Sequence, residues 1–188
     1  MVRTVRVVAH SPDWVQAFRR EAAELCSVFG ERQVAVHHIG STAIEHIVAK
    51  PIIDILVEVR DIGAVDELNE GMCQLGYTPR GELGIPGRRY FSKGSESIHS
   101  HHVHVFQTGH PEVERHLLFR DYLCAHPLEA QAYGRLKEIL AVQYRRDTDG
   151  YTVAKSGFIE EMDRRARHWV KLRWESTAGG RPAAPLRV

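Results

Sequence analysis

The chain has 188 residues, 43% hydrophobic and 26% charged, with 25 basic and 24 acidic side chains and a formal net charge of +1. This is the profile of a soluble globular protein large enough to bury a core without staples. The near-zero balance supplies no global field for nucleic acid or a membrane surface, so any basic site must be local. No stretch approaches eighteen apolar residues, which predicts no membrane span. MVRTVRVVAHSPDW lacks an apolar run followed by a small-residue cleavage site, which predicts no signal peptide. Cys26, Cys73 and Cys124 are scattered, odd in number and without a CxxC pair, so they are expected as reduced, partly buried thiols of a cytoplasmic protein.

In chain order, residues 5–9 (VRVVA) alternate weakly and predict a short strand. Ser11, Pro12 and Asp13 supply a cap, a first-turn proline and a first-turn acid. Trp14, Phe18, Ala22 and Leu25 then recur at helical spacing, so a helix is predicted over 12–29, with Gly30 as its stop. QVAVHHI (33–39) reads as a strand. A short helix is predicted from Thr42, where Thr42-x-x-Glu45 matches a capping box, and Lys50-Pro51 ends it. IIDILVEV (52–59) is a strand. Residues 62–76 predict a helix stopping at Gly76, and the Gly/Pro-rich segment after it reads as a hairpin or long loop feeding a strand near 88–92. HHVHVFQ (101–107) is a further strand. Segments 111–127, 128–146 and 151–172 all show helical spacing. Residues 176–188 are small, polar and Pro/Gly-rich, and are expected to be a disordered tail. The sum is an α+β fold in one domain over 1–175, sheet-rich to residue 110 and helical from 111 to 175.

Chemistry concentrates in four places. Gly40 permits a tight turn, and Ser41 and Thr42 would open a helix whose free N–H groups and hydroxyls suit a phosphate. Alternation along 52–59 puts Ile53, Ile55, Val57 and Val59 on one face and Asp54, Leu56 and Glu58 on the other. A buried carboxylate at 54 needs a partner, either a divalent metal or a cationic side chain such as Lys50 or an arginine. In the histidine strand, His102 and His104 share a face and stand ~6.6 Å apart, a spacing that can serve one ion. Two imidazoles with Asp54 would suit zinc, manganese or iron better than magnesium. Arg88 and Arg89 follow two glycines and a proline, and alternation lets one of the two reach a phosphate. Lys50, and Arg120 and Lys155 on later helices, are further candidate phosphate ligands, and Lys155 is expected in a helix first turn.

A Gly-Ser turn, a short helix and a strand with a forward carboxylate together resemble the nucleotidyltransferase superfamily. That resemblance implies a triphosphate on the Gly-Ser turn and a divalent metal on a pair of carboxylates. Here the second acidic position is Leu56, and Glu58 lies ~13 Å along the strand from Asp54, too far to share an ion. The motifs VVAHSPDWVQAFRREA, HIGSTA…KPIIDILV, GIPGRRYFSKG, HHVHVF, ERHLLFRDYL and YTVAKSGFIEEM resemble, in order, the GrpB family of bacterial proteins over roughly residues 5–165. The resemblance implies a nucleotidyltransferase-like mixed sheet with flanking helices and a C-terminal helical bundle. It also implies a link to dephospho-CoA kinase, to which family members are found fused. The expected ligand is a nucleotide or phosphorylated small molecule with a divalent metal (magnesium or manganese, or zinc through the histidines). Asp54 would be catalytic if nucleotidyl transfer occurs. One rival is a non-catalytic module acting on a protein partner such as that kinase. The other is a histidine-dependent metal phosphohydrolase.

Overall fold

The structure is a computed structural model and describes residues 4–95 and 98–176. The expected tail over 176–188 lies outside the described residues except for Ser176, which ends the last helix. One sheet is built from β1 (Gln33–Ile39), β2 (Ile53–Val59), β3 (Tyr77–Pro79), β4 (Arg88–Gly94) and β5 (His99–Gln107), in the spatial order β1-β2-β5-β4-β3. β2 and β5 run parallel and every other pair is antiparallel, so the sheet is mixed. Parallel neighbours need a long crossover. Residues 60–98 provide it, carrying α2 (Asn69–Gln74) and the β3–β4 hairpin. The helical second half follows as α3 (Pro111–Ala125), α4 (Pro127–Gln143), α5 (Thr148–Ala154) and α6 (Ser156–Ser176). This is the α+β architecture read from the sequence. Among the described residues no helix is long and apolar enough to cross a membrane.

One face of the sheet is dry. The stripe Trp14, Phe18, Leu25 and Phe29 of α1 (Asp13–Phe29) packs on Ile53, Ile55, Val57 and Val59 of β2 and on Val103 and Val105 of β5. Burying each such side chain stabilises the fold by ~1.5–3 kcal/mol. The opposite face is divided. Ile39, Leu56, Phe106 and Val113 form a small apolar cluster on it, and polar side chains take the rest. The β1–β2 connection ties this face to the helical half: Ile44 and Ile47 insert among Phe119, Leu123, Ala130, Tyr133, Met162 and Ala166. That insertion packs α4 and α6 against the β1–β2 connection.

Five local expectations are corrected. Residues 5–9 are not a strand; they contribute one bridge, Val8 to Ala49. The helix from Thr42 is a single tight turn over Ser41–Ala43. Thr42 is buried, its hydroxyl donates to the Ile52 carbonyl at 3.4 Å and meets His38 Nε2 at 3.0 Å, and Ile44 turns extended to enter the helical core. Tertiary burial here outweighs a capping signal. The helix over 62–76 is a tight 3₁₀ stretch over Gly63–Leu68 followed by the short α2. The segment 151–172 breaks at Lys155, which closes α5 instead of opening a helix. The three cysteines are free, as read, but exposed rather than partly buried.

Candidate functional site

Gly40 follows β1 directly, and the β1–β2 register sets Ile39 opposite Asp54. Gly40 has φ +69, and a Cβ on it would sit 2.5 Å from Asp54 Oδ2. Both facts demand glycine: the left-handed backbone excludes most side chains, and the carboxylate fills the space a methyl would need. The turn and the strand carboxylate, singled out separately in the sequence, are therefore in contact. Asp54 keeps 29% of its side chain exposed. Burial works to raise its carboxyl, but a hydrogen bond from His102 and the neighbouring imidazoles His104 and His116 outweigh it and hold the group below the ordinary carboxylate value.

The parallel pairing of β2 with β5 sets Asp54 opposite His102 and Leu56 opposite His104. His102 Nδ1 lies 3.1 Å from Asp54 Oδ1, and its Nε2 lies 2.8 Å from His99 Nδ1. His104 turns the other way, its Nδ1 accepting from Arg88 Nη1 at 3.4 Å. With that lone pair engaged, neutral His104 carries its proton on Nε2, which then cannot ligate. The expected metal set of Asp54, His102 and His104 is accordingly not assembled. Among the described residues no group of three or more His, Cys, Asp or Glu side chains is arranged to hold an ion. His116 of α3 joins this cluster, its ring 5.4 Å from that of His104. Burial lowers both imidazoles to about 3, with cationic neighbours (Arg88 for both, and Arg115 most strongly for His116) acting the same way against Asp54. Both rings are neutral at neutral pH.

The arginine pair divides as alternation requires. Arg88 faces the Asp54 side and is buried. Nε donates to the Glu82 carbonyl at 3.1 Å, Nη2 to the Leu83 carbonyl at 2.7 Å, and the group also stacks on Tyr90. Arg89 faces away and forms a two-pronged pair with Asp66 at 2.7 and 2.8 Å. Arg120 is likewise engaged: it donates to Asp121 Oδ1 at 2.7 Å and to the His38 carbonyl at 2.9 Å, clamping β1 just before the turn. Thr42, turned inward, is a structural staple, not a phosphate donor.

Behind the turn stand groups the sequence did not single out. Tyr133 of α4 is buried and stands close to the Ser41 side chain. Lys137, one helical turn on, holds Nζ 4.5 Å from the Tyr133 ring centre. Lys50 and Lys155, both expected ligands, converge on Tyr151 with Nζ at 4.2 and 4.5 Å from its ring centre. Lys155 is pushed down by burial and partly restored by the charge of Asp54, which places this lysine within electrostatic reach of the carboxylate. Tyr133 and Lys137 share the i, i+4 spacing of an ordinary helix face, and no local signal marked them.

The family model described as GrpB protein matches residues 4–165. UPF0157 protein YqkA of Bacillus subtilis is 47% identical over 171 residues, 91% of this chain and 50% of that protein, so the chain spans half the length of that relative. A dephospho-CoA kinase of Mycolicibacterium paratuberculosis is 30% identical over 191 residues, 88% of this chain and 47% of that protein. The crystal structure of conserved protein GrpB from Enterococcus faecalis matches with a TM-score of 0.83 at 40% identity, covering 87% of this chain and 99% of that one.

Proposed function

This chain belongs to the GrpB family, and on that premise we propose that the Gly40–Ser41 turn, Asp54 and the lysines behind them bind the phosphates of a nucleotide or another phosphorylated small molecule. The observation that carries the reading is Gly40, a glycine-only turn seated directly on the Asp54 carboxylate of β2. A close-approaching backbone beside a serine hydroxyl is what phosphate oxygens require. The same order of turn and strand is what the nucleotidyltransferase resemblance implies.

A divalent ion, magnesium or manganese, would arrive with the phosphates and be held by Asp54. Such ions are commonly bound through one or two carboxylates plus substrate phosphates and water, so a single carboxylate fits. The ion would neutralise phosphate charge. Zinc is disfavoured because the imidazole nitrogens nearest Asp54 are already engaged.

A second reading has its own support. Leu56, at the position of the missing acid, is fully buried beside Ile39, Phe106 and Val113, where an ionised carboxylate would be costly. That favours binding without nucleotidyl transfer, in a module that stabilises or regulates a protein partner. The relative named dephospho-CoA kinase makes that enzyme the partner to test.

Thermal-shift titration with ATP, CTP, GTP and UTP, each with and without Mg²⁺, Mn²⁺ or Zn²⁺, tests both. A nucleotide at a hundred times its Kd should raise Tm by about 5–10 °C, and Asp54→Asn should abolish the metal-dependent part. If no nucleotide shifts Tm while the protein co-elutes with a dephospho-CoA kinase, the phosphate-binding reading gives way to the partner-binding one.

A further inference from the structure

The balance of 25 basic and 24 acidic side chains conceals one strongly charged segment. Residues 164–174 (RRARHWVKLRW) of α6 hold five of the basic side chains and no acid, which leaves 20 basic against 24 acidic elsewhere. Such an asymmetry marks a local electrostatic surface. Helical periodicity divides the segment. Ala166 turns into the helical core, and Trp169 packs edge-on against Tyr122 and His126. Arg167, His168 and Lys171 are exposed, and Leu172 and Trp174 are each 50% exposed. Arg164 and Arg165 are answered by Glu161 and Glu129. Arg167 lies within electrostatic reach of Asp163, which Arg115 already pairs. Lys171 takes part in none of these pairs.

Along this segment α6 and α3 leave a groove of about 440 Å³, room for a few side chains. Leu118, Val170 and Trp174 give it an apolar lining, Arg167 and Lys171 add two cations, and Glu114 is its one acid. Positions 167, 170, 171 and 174 fall on one stripe of the helix. Apolar lining and cations together select the occupant. Nucleic acid would use the cations and the Trp174 ring, but not Leu118 and Val170. A bilayer surface is too flat to fill a groove. We propose that the α3–α6 groove docks an acidic segment of a partner protein, with an apolar side chain among Leu118, Val170 and Trp174 and carboxylates on Lys171 and Arg167. None of these residues belongs to the Asp54 site, so the surface is independent of the phosphate reading.

The two halves of the groove do different work. An aromatic anchor that is covered on binding carries much of the affinity of an interface, and tryptophan is the commonest such anchor. Exposed cations steer the encounter and fix its register, and salt screens them. Loss of Trp174 should therefore remove the preference for an apolar anchor. Loss of Lys171 should remove the preference for acid.

The test is fluorescence anisotropy of fluorescein-labelled poly(Glu,Tyr) titrated with the whole chain, with unlabelled poly-Glu, poly(U) and phosphatidylglycerol vesicles as competitors. The tyrosines of the copolymer supply the apolar anchor. The copolymer should bind about tenfold more tightly than poly-Glu. Lys171→Glu should weaken it about tenfold or more, because an attraction becomes a repulsion. Trp174→Ala should bring the copolymer down to the level of poly-Glu. Arg145→Glu makes the same change of net charge on an exposed side chain just past α4 and should leave binding unchanged. Urea unfolding checks that each variant is folded, and Lys171→Ala, with a smaller loss, replaces Lys171→Glu if that variant is not. Equal losses in Lys171→Glu and Arg145→Glu would mean that net charge alone binds, and overturn the groove. Equal affinity of the wild type for the two polymers, or full preference for the copolymer in Trp174→Ala, overturns it as well. Poly(U) or vesicles that displace the copolymer more readily than poly-Glu does would assign the surface to nucleic acid or lipid and remove the protein partner. No binding of the copolymer by the wild type overturns the docking site outright.

Discussion

The cationic and imidazole groups around Asp54 fall into two sets that look alike in sequence and differ in structure. On the histidine side, Arg88 gives its donors to the Glu82 and Leu83 carbonyls and to His104, Arg120 to Asp121 and the His38 carbonyl, and His102 to the carboxylate itself. On the lysine side, Lys137 is buried against a tyrosine ring with no acceptor among the described residues. The first set is closed on itself and holds loop, strand and turn in place. The second has charge to spare. A satisfied buried cation argues for architecture; an unsatisfied one argues for something external.

The sharpest way to break this comparison is acid. His104 and His116 stay neutral in the folded chain down to about pH 3, while their ordinary value is 6.5. Between those values the unfolded chain binds two protons that the folded chain refuses. Stability is therefore complete above pH 6.5 and lost as pH falls, by roughly 3 kcal/mol per pH unit for the two sites together. Urea unfolding at pH 7, 6, 5 and 4 should show at least this slope, because burial lowers His38 to about 4 as well, and His116→Phe should flatten it by about a third. A flat profile would mean the histidine side is wetter and looser than described.

Next in size are the arginines. Arg88→Ala strands two carbonyls and an imidazole nitrogen in a buried setting and should cost about 3 kcal/mol in urea unfolding. Arg89→Ala removes a pair whose acid partner is 54% exposed, and should cost about 0.5–1 kcal/mol. Comparable losses for the two would erase the distinction between closed and surface pairs.

Two glycines can be compared directly, one at the end of α1 and one at the turn. Gly30→Ala meets open space at φ +53 and should cost about 1 kcal/mol, the backbone penalty. Gly40→Ala adds the clash with Asp54 Oδ2 and should cost about 2 kcal/mol. Only the Gly40 variant should also weaken nucleotide binding in the thermal-shift titration.

What could be read from the sequence was what local rules dictate. Alternation put Asp54 opposite the apolar face of β2, split Arg88 from Arg89, and set His102 beside His104, because a strand's two faces follow from its pleat. Turn chemistry marked Gly40 and Ser41, because few residues but glycine take a left-handed backbone against a carboxylate. Local rules failed at Thr42 and Lys155, where packing of Ile44 and the break between α5 and α6 overrode capping and periodicity. Strand neighbours were out of reach as well: that β2 lies parallel to β5, setting His102 on Asp54, depends on a crossover of the whole 60–98 segment. The same holds for Lys137, which reads as any helix lysine until α4 is docked under the turn. The sequence by itself determined which residues face which way within each element, since that geometry repeats every two or four residues. Only the tertiary structure decided which elements meet, and so which buried charges are satisfied and which remain open, since that depends on packing between segments distant along the chain.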